Sequence, residues 1–462
     1  MVIPTRRLLL LALIGVPVAG ISGSHSAALE IAVLWSAGIA LIAAIDAWLA
    51  PGDGGVAWSR QHEPKLSLGA WNDISLELHN HGERTVTFQV RDAVPPLLQA
   101  RQEPGEGSCP VGATWRVTYR VFPLQRGEYG LGPLTVRYIG PLRLAWRQRT
   151  VQFDDQLSVY PNVSAIRRYE GLVRQRLQQE IGLRSSRRWG AGTEFDRLRD
   201  YTPDDEYRRI NWKATARRLS PVVVDYRTEQ SQNVIVALDA GRLMSTRLPL
   251  TSDPGDEEPY GGRRGDRPEL VEAKALTRLD YSLNAALLLA YVSQKYGDRV
   301  GLLAFTDQVI RFLPPRSGKR QYLAILEALH NLTPEPIEAD YAVALGYLAA
   351  RAPRRSLVVL FTDIVEPEAA RPLVGSLSLL ARRHLPLTVT LRDPAIEDMA
   401  SATVVDSRTV YERGVAQALL SDREEILLRL QQRGVLTLDV PANQLSFSLL
   451  NRYLQVKARS QL

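Results

Sequence analysis

Residues 192–217, GTEFDRLRDYTPDDEYRRINWKATAR, gather Arg, Asp, Glu and aromatic side chains with no helical or strand period. Arg and carboxylate groups make directional, bidentate contacts, so such a run fixes charges against one another or against a partner. Its other reading is a solvated connector laced with charge. Two more carboxylates stand where ligands gather in open α/β sheets, at the carboxyl ends of candidate strands. Asp239 ends the apolar run 234–238, and Asp363 follows the run 357–361 in the sequence FTD. Oxygen ligands of this type suit Mg²⁺ or Ca²⁺.

Other catalytic patterns fail at identifiable residues. Ser317, Gly318 and Lys319 look like the end of a phosphate-binding loop, yet Leu313 occupies the place of its leading Gly. There is no Gly-x-Ser-x-Gly elbow. Asp239 has Gly241 two residues on, where an aspartyl-phosphate mechanism needs a second Asp. A binding protein is therefore the favoured class. The alternative is a divalent-metal-dependent hydrolase built on the strand-end carboxylates, in which the metal would activate water.

The charged run resembles the signature of a bacterial family known as domain of unknown function 58, whose core is similar to a von Willebrand factor type A domain. The matching residues are Glu194, Phe195, Leu198, Arg199, Tyr201, Asp205, Arg208, Ile210, Asn211, Trp212, Lys213, Ala216 and Arg217, with Glu229 further on. Asp204 stands where the family usually has Gly, which reshapes the turn there. The family it resembles has no established catalytic activity. The resemblance implies association with a MoxR-type AAA+ ATPase, and it makes Glu194, Phe195, Arg199, Tyr201, Asp205, Arg208, Trp212, Lys213 and Arg217 the interaction residues, with Trp212 expected to anchor the segment to its domain. The type A pattern also carries a metal-ion-dependent adhesion site, made of Asp-x-Ser-x-Ser, a Thr and a second Asp. Here the motif reads Asp239, Ala240, Gly241, Arg242, Leu243, so both serines are missing, and Asp340 stands near the place of the Thr. Asp239, Asp340 and Asp363 are thus expected to converge as a degenerate site and partner-contact surface. A divalent cation, Arg242 or a basic group of the partner balances their charge, and Arg242 is the favoured balance.

A chain of 462 residues must position these groups, enough for two or three domains. Its 45% hydrophobic and 23% charged content is that of a globular protein. A net charge of +7 suits an acidic partner, a nucleic acid or an anionic membrane surface. The short basic stretch 184–188 lacks the aromatic interleaving of single-strand binders, which argues against nucleic acid. The lone Cys109 permits no intrachain disulfide.

Arg6 and Arg7 precede an apolar run, residues 8–21, interrupted by Pro17, and a second run covers 27–50. The second approaches the roughly 20 residues that span a bilayer. No Lys or Arg occurs between residues 8 and 59, so the positive-inside rule places the loop between the runs outside. This predicts a transmembrane helical hairpin over residues 1–52 in the inner membrane, with both ends cytoplasmic. A cleaved signal peptide is the other reading of the first run.

Residues 56–161 change to period two. Ile74, Leu76 and Leu78 alternate with polar residues, as do Val86, Phe88 and Val90, then Trp115, Val117, Tyr119 and Val121, then Leu134, Val136 and Tyr138. Short strands at this spacing predict a β-sandwich module. His62, His79 and His81 have no further ligands beside them that would make a zinc set. After the signature segment, residues 165–230, strands expected at 234–238, 299–304, 357–361, 387–391 and 435–440 alternate with helices at 276–295, 320–330, 341–351, 368–383, 415–433 and 443–458. That alternation predicts a von Willebrand type A-like, doubly wound α/β domain over residues 231–462, with 251–268 as a surface loop.

Overall fold

A computed structural model describes the chain except for residues 21–24, 52–54, 102–104, 162–193, 204, 206, 208–209, 228–230, 250–274, 365–366 and 460–462. The surface loop expected at 251–268, Arg208 and Glu229 lie outside the described residues. The protein is a mixed α/β molecule of two compact units, Met1–Asn162 and Val163–Leu462.

The first unit contains helices α1 (Arg6–Gly20) and α2 (His25–Leu49) and twelve strands numbered along the chain. A five-stranded sheet has the order β1 (Val2–Pro4), β11 (Ala145–Val151), β10 (Leu134–Ile139), β5 (Val86–Asp92), β7 (Gly105–Cys109). A four-stranded sheet has the order β2 (Val56–His62), β4 (Asn72–Asn80), β8 (Thr114–Val121), β6 (Ala100–Arg101), and a three-stranded one β3 (Lys65–Ser67), β12 (Gln156–Tyr160), β9 (Gly127–Gly130). The period-two residues of β4, β5 and β10 are buried as their alternation demands. Trp58 on β2 and Trp115 on β8 meet Phe88 on β5 edge-on, at 5.3 and 4.8 Å between centroids, so the two larger sheets face each other across an aromatic core. Gly107 is required there, because a Cβ would lie 2.7 Å from the Trp115 indole nitrogen.

The segment Leu29–Leu49 of α2 is long and apolar enough to cross a membrane, by length and composition. Its neighbour α1 packs against it, with the Trp35 indole donating to the Leu11 carbonyl at 3.1 Å. The far ends of both helices close on one turn of the β-module. β1, which precedes α1, pairs antiparallel with β11. The Thr5 hydroxyl lies 2.9 Å from the carbonyls of Arg143 and Leu144. Asp46, fully buried, accepts backbone N–H groups from Leu142, Leu144 and Ala145 at 2.7, 2.8 and 3.1 Å. A side chain at Gly140 would overlap the Asp46 carboxyl. An aspartate in an apolar helix is costly unless its oxygens are satisfied, and this turn satisfies them.

In the second unit, β13 (Glu194–Asp200) and β14 (Val222–Arg227) form an antiparallel pair enclosing helix α3 (Trp212–Arg218). A six-stranded sheet follows in the order β19 (Val309–Arg316), β18 (Arg299–Phe305), β15 (Asn233–Asp239), β20 (Leu357–Phe361), β21 (Leu385–Arg392), β22 (Leu436–Pro441). All its neighbours are parallel except β18 and β19. A small ladder joins β16 (Arg247–Pro249) to β17 (Ala275–Thr277). Helices α4 (Arg278–Lys295), α5 (Lys319–His330), α6 (Tyr341–Arg351), α7 (Pro367–Leu380), α8 (Pro394–Ser401), α9 (Ser407–Gln432) and α10 (Leu445–Ala458) complete the unit. Ile235 and Ala237 of β15 join one core cluster with α6, α7 and α9. α4 packs on β15 and β18 and carries α5 and α10 beside it. The strand order turns back at β15, so the carboxyl ends of β15 and β20 flank the point where ligands meet sheets of this kind.

Candidate interaction site

Asp239 sits at that point, 2% exposed. One carboxyl oxygen accepts the Gly241 N–H at 2.8 Å, and the other accepts the hydroxyls of Thr362 and Tyr341 at 2.7 and 3.0 Å. Burial pushes the Asp239 carboxyl above the usual range and these hydrogen bonds oppose it. Burial also raises the Tyr341 hydroxyl, helped by the nearby Asp239 charge. Gly241 lets the chain pass close to the loop before α6, since a Cβ there would lie 2.8 Å from the Ile337 carbonyl.

Asp363 is held differently. One oxygen lies 2.8 Å from the Arg278 guanidinium and the other 3.0 Å from that of Arg423. Arg278 is buried at the first turn of α4 and also donates to the Leu391 carbonyl at 2.8 Å. Arg423 reaches in from α9 and makes a second ion pair with Asp439 at 2.8 Å. Burial alone would lower the Arg423 pKa, but Asp363 and Asp439 hold it above its ordinary value. The same guanidinium keeps Asp439 below the usual carboxylate range against burial.

The expected three-carboxylate site is corrected by these placements. Asp340 is exposed and caps α6, accepting the Val343 N–H at 2.9 Å. Among the described residues no group of three or more His, Cys, Asp or Glu side chains is placed to hold a metal ion. Arg242 is not the balancing cation, because it pairs with Glu338 at 3.0 Å on the exposed surface. Arg278 and Arg423 fill that role, and both oxygens of Asp363 are engaged by them. Buried as they are, Asp239 and Asp363 are also not a contact surface. Following the carboxyl end of β21, the corner of α8 and α9 exposes apolar side chains. Val405 there is 85% exposed, Tyr411 73% and Val410 54%. Arg413 and Gln417 of α9 tie the corner together by donating to the Ala402 and Ala400 carbonyls at 3.5 and 3.3 Å.

The signature is a folded hairpin rather than a run without period. A bulge between Phe195 and Arg197 shifts β13 by one residue, so Phe195 and Leu198 break the period of two that would have marked the strand. Among the described residues, Ile210, Val222, Val223 and Val224 are buried in it. Arg199 clasps Asp205 through both guanidinium nitrogens, one contact being 2.6 Å, and Asp205 also accepts the N–H and hydroxyl of Thr202 at 2.9 and 2.8 Å. Arg199 first, and the Thr202 N–H next, hold the Asp205 carboxyl well below its ordinary range. The Tyr201 N–H donates to the Pro221 carbonyl at 2.9 Å. Asn211 caps α3 by accepting the Ala214 N–H at 3.1 Å, a role its type and place before the helix could have announced.

Trp212 is not the expected anchor. It is 58% exposed and meets Tyr207 edge-on at 5.5 Å. Lys213 and Arg217 are exposed as well. Glu194 and Phe195 lie opposite Arg227 and Tyr226 in the strand pair, and their side chains lie outside the described residues.

Against this geometry, a family described as "Protein of unknown function DUF58" matches residues 197–248 and 272–418. The chain is 24% identical over 272 residues to the uncharacterized protein Rv1480 of Mycobacterium tuberculosis H37Rv, which covers 56% of this chain and 75% of that one. It is 22% identical over 156 residues to the uncharacterized protein YeaD of Bacillus subtilis, covering 32% of this chain and 38% of that one. Among solved structures, the conserved hypothetical protein BatB of Bacteroides thetaiotaomicron is 14% identical and covers 50% of this chain and 100% of its own, with a TM-score of 0.31, which does not establish a shared fold. The family match takes in most of the β13–β14 hairpin and the α/β domain as far as the first half of α9.

Proposed function

We propose that the protein is a membrane-anchored cytoplasmic interaction module, an adaptor for a MoxR-type AAA+ ATPase, in which α1 and α2 form a transmembrane hairpin and the second unit is a von Willebrand type A-like domain. The observation that carries the anchoring is the return of the chain to one place. β1 lies in the same sheet as β11, and Asp46 at the other end of the helix pair receives the turn that leads into β11. With α2 crossing the bilayer, a strand before α1 can share a sheet with strands after α2 only when α1 crosses too. The cleaved-signal reading would remove β1 from its sheet. The exposed Val405, Val410 and Tyr411 support a partner-binding corner beside the carboxyl edge, since contiguous exposed apolar side chains mark interaction surfaces.

Topology tests the reading. Cysteines introduced singly as Val2→Cys, Ser24→Cys and Val111→Cys are treated with a membrane-impermeant maleimide on intact cells. Labelling of Ser24→Cys alone is expected, with the other two reacting only after permeabilisation. Reaction of Val2→Cys and Val111→Cys from opposite sides would rule the hairpin out.

A further inference from the structure

The outer face of α3 has no use inside its hairpin. The edge-on pair of Trp212 and Tyr207 projects outward, 58% and 67% exposed. Lys213, Arg217 and Arg218 are exposed beside it, and α3 has no acidic residue. Leu219 closes the helix with φ +59° and is 94% exposed. Glycine is the ordinary residue in that left-handed position, and a branched side chain there is disfavoured. A strained leucine also gains nothing from water, but gains when an apolar medium covers it. Tryptophan and tyrosine rings settle at the headgroup level of bilayers, and basic side chains are drawn to an anionic leaflet. Lipid is at hand on the anchoring reading, because α2 of the same chain is long and apolar enough to cross a membrane and would hold the hairpin at high effective concentration near the bilayer. One aromatic pair does not supply the successive stacking platforms that a nucleic-acid strand uses.

We propose that α3 and Leu219 form a docking face for the headgroup region of an anionic lipid leaflet, holding the signature hairpin against the membrane. This rests on the anchoring reading and adds a second contact to it. It assigns the exposed signature residues to lipid and leaves the α8–α9 corner to the protein partner.

The test uses the full chain with Leu219→Cys carrying an environment-sensitive fluorophore, the native Cys109 being buried. The protein is reconstituted into nanodiscs of phosphatidylcholine alone, or of phosphatidylcholine and phosphatidylglycerol in equal parts. A blue shift of the emission is expected only with phosphatidylglycerol, and its loss is expected in high salt and in the Lys213→Glu, Arg217→Glu, Arg218→Glu triple variant. Emission that stays aqueous in both discs, from protein that is incorporated, overturns the docking face and leaves the anchoring reading standing. Protein that never enters a disc overturns both. A blue shift in phosphatidylcholine discs on adding single-stranded RNA or the purified ATPase overturns lipid as the occupant.

Discussion

The carboxyl edge of the six-stranded sheet and the outer face of α3 use the same residue types to opposite ends. At the edge, Arg278 is buried and Arg423 is mostly enclosed, its side chain 12% exposed, and each is matched to carboxylates and carbonyls. On α3, Lys213, Arg217 and Arg218 stand in solvent beside exposed aromatic rings. A charge that is enclosed and paired specifies how elements fit together, whereas an exposed one remains free to meet a partner. The positions that look most like chemistry in the sequence, Asp239 and Asp363, are thus part of the scaffold.

The largest effect should come from breaking the buried edge. Arg423→Met removes the partner that Asp363 and Asp439 share and leaves them to Arg278 and Arg392, so the cost should reach at most the roughly 3–5 kcal/mol of a fully broken buried pair. Chemical denaturation should show that loss, and a variant as stable as the parent would mean that the pairs are not enclosed. In the same measurement, Mg²⁺ or Ca²⁺ should leave the parent's midpoint where it was, since a cation bound to the folded state would raise it.

Asp46 extends the comparison to the end of α2. Asp46→Ala leaves the N–H groups of Leu142, Leu144 and Ala145 without their acceptor, the last two of them buried, and each unsatisfied buried group costs about 1–3 kcal/mol. The β-module should become more sensitive to proteolysis at residues 140–145 in detergent. Unchanged cleavage there would show that water replaces the carboxylate.

On the exposed side the stability effects should be small. Trp212→Ala should shift stability by no more than about 0.5 kcal/mol, as surface substitutions do. A loss several times larger would make Trp212 the anchor that its type suggested in the sequence.

The smallest effect is a pH dependence. His384 is 2% exposed, and neither ring nitrogen has a hydrogen-bond partner among the described residues. Burial, then Arg383 and Arg355, lowers its pKa. The unfolded chain therefore binds a proton more readily than the folded one. The stability from neutral His384 is present above about pH 6.5 and is lost as pH falls below that toward the folded value. Melting curves of His384→Leu should fall less steeply on acidification than those of the parent. Identical acid limbs would assign the dependence to other groups.

How much of this was legible in the sequence followed from periodicity. The five parallel strands are apolar runs, and the expected helix at 341–351 coincides with α6. β19 was not legible, because VIRFLPPR carries two prolines near its end and runs along the sheet edge, where apolar alternation is not enforced. The first turns of α9 were hidden because Ala416, Ile426 and Leu430 are its buried residues, which leaves the start of the helix without an apolar stripe. The partners of Asp363 were invisible for another reason. Arg278 and Arg423 are distant in sequence, the latter by 60 residues, and reach the carboxylate only through the crossover of the sheet. Arg242, close in sequence to Asp239, was the natural candidate and pairs with Glu338 on the surface instead.

The contrast between enclosed edge and exposed face is tested most directly by capture of a purified MoxR-type ATPase on nanodisc-held protein carrying Tyr411→Asp. Tyr411 is 73% exposed on the corner beside that edge, so the variant should melt with the parent. The account predicts that capture is lost while the melting temperature is kept. Undiminished capture by a fully folded Tyr411→Asp protein would contradict it.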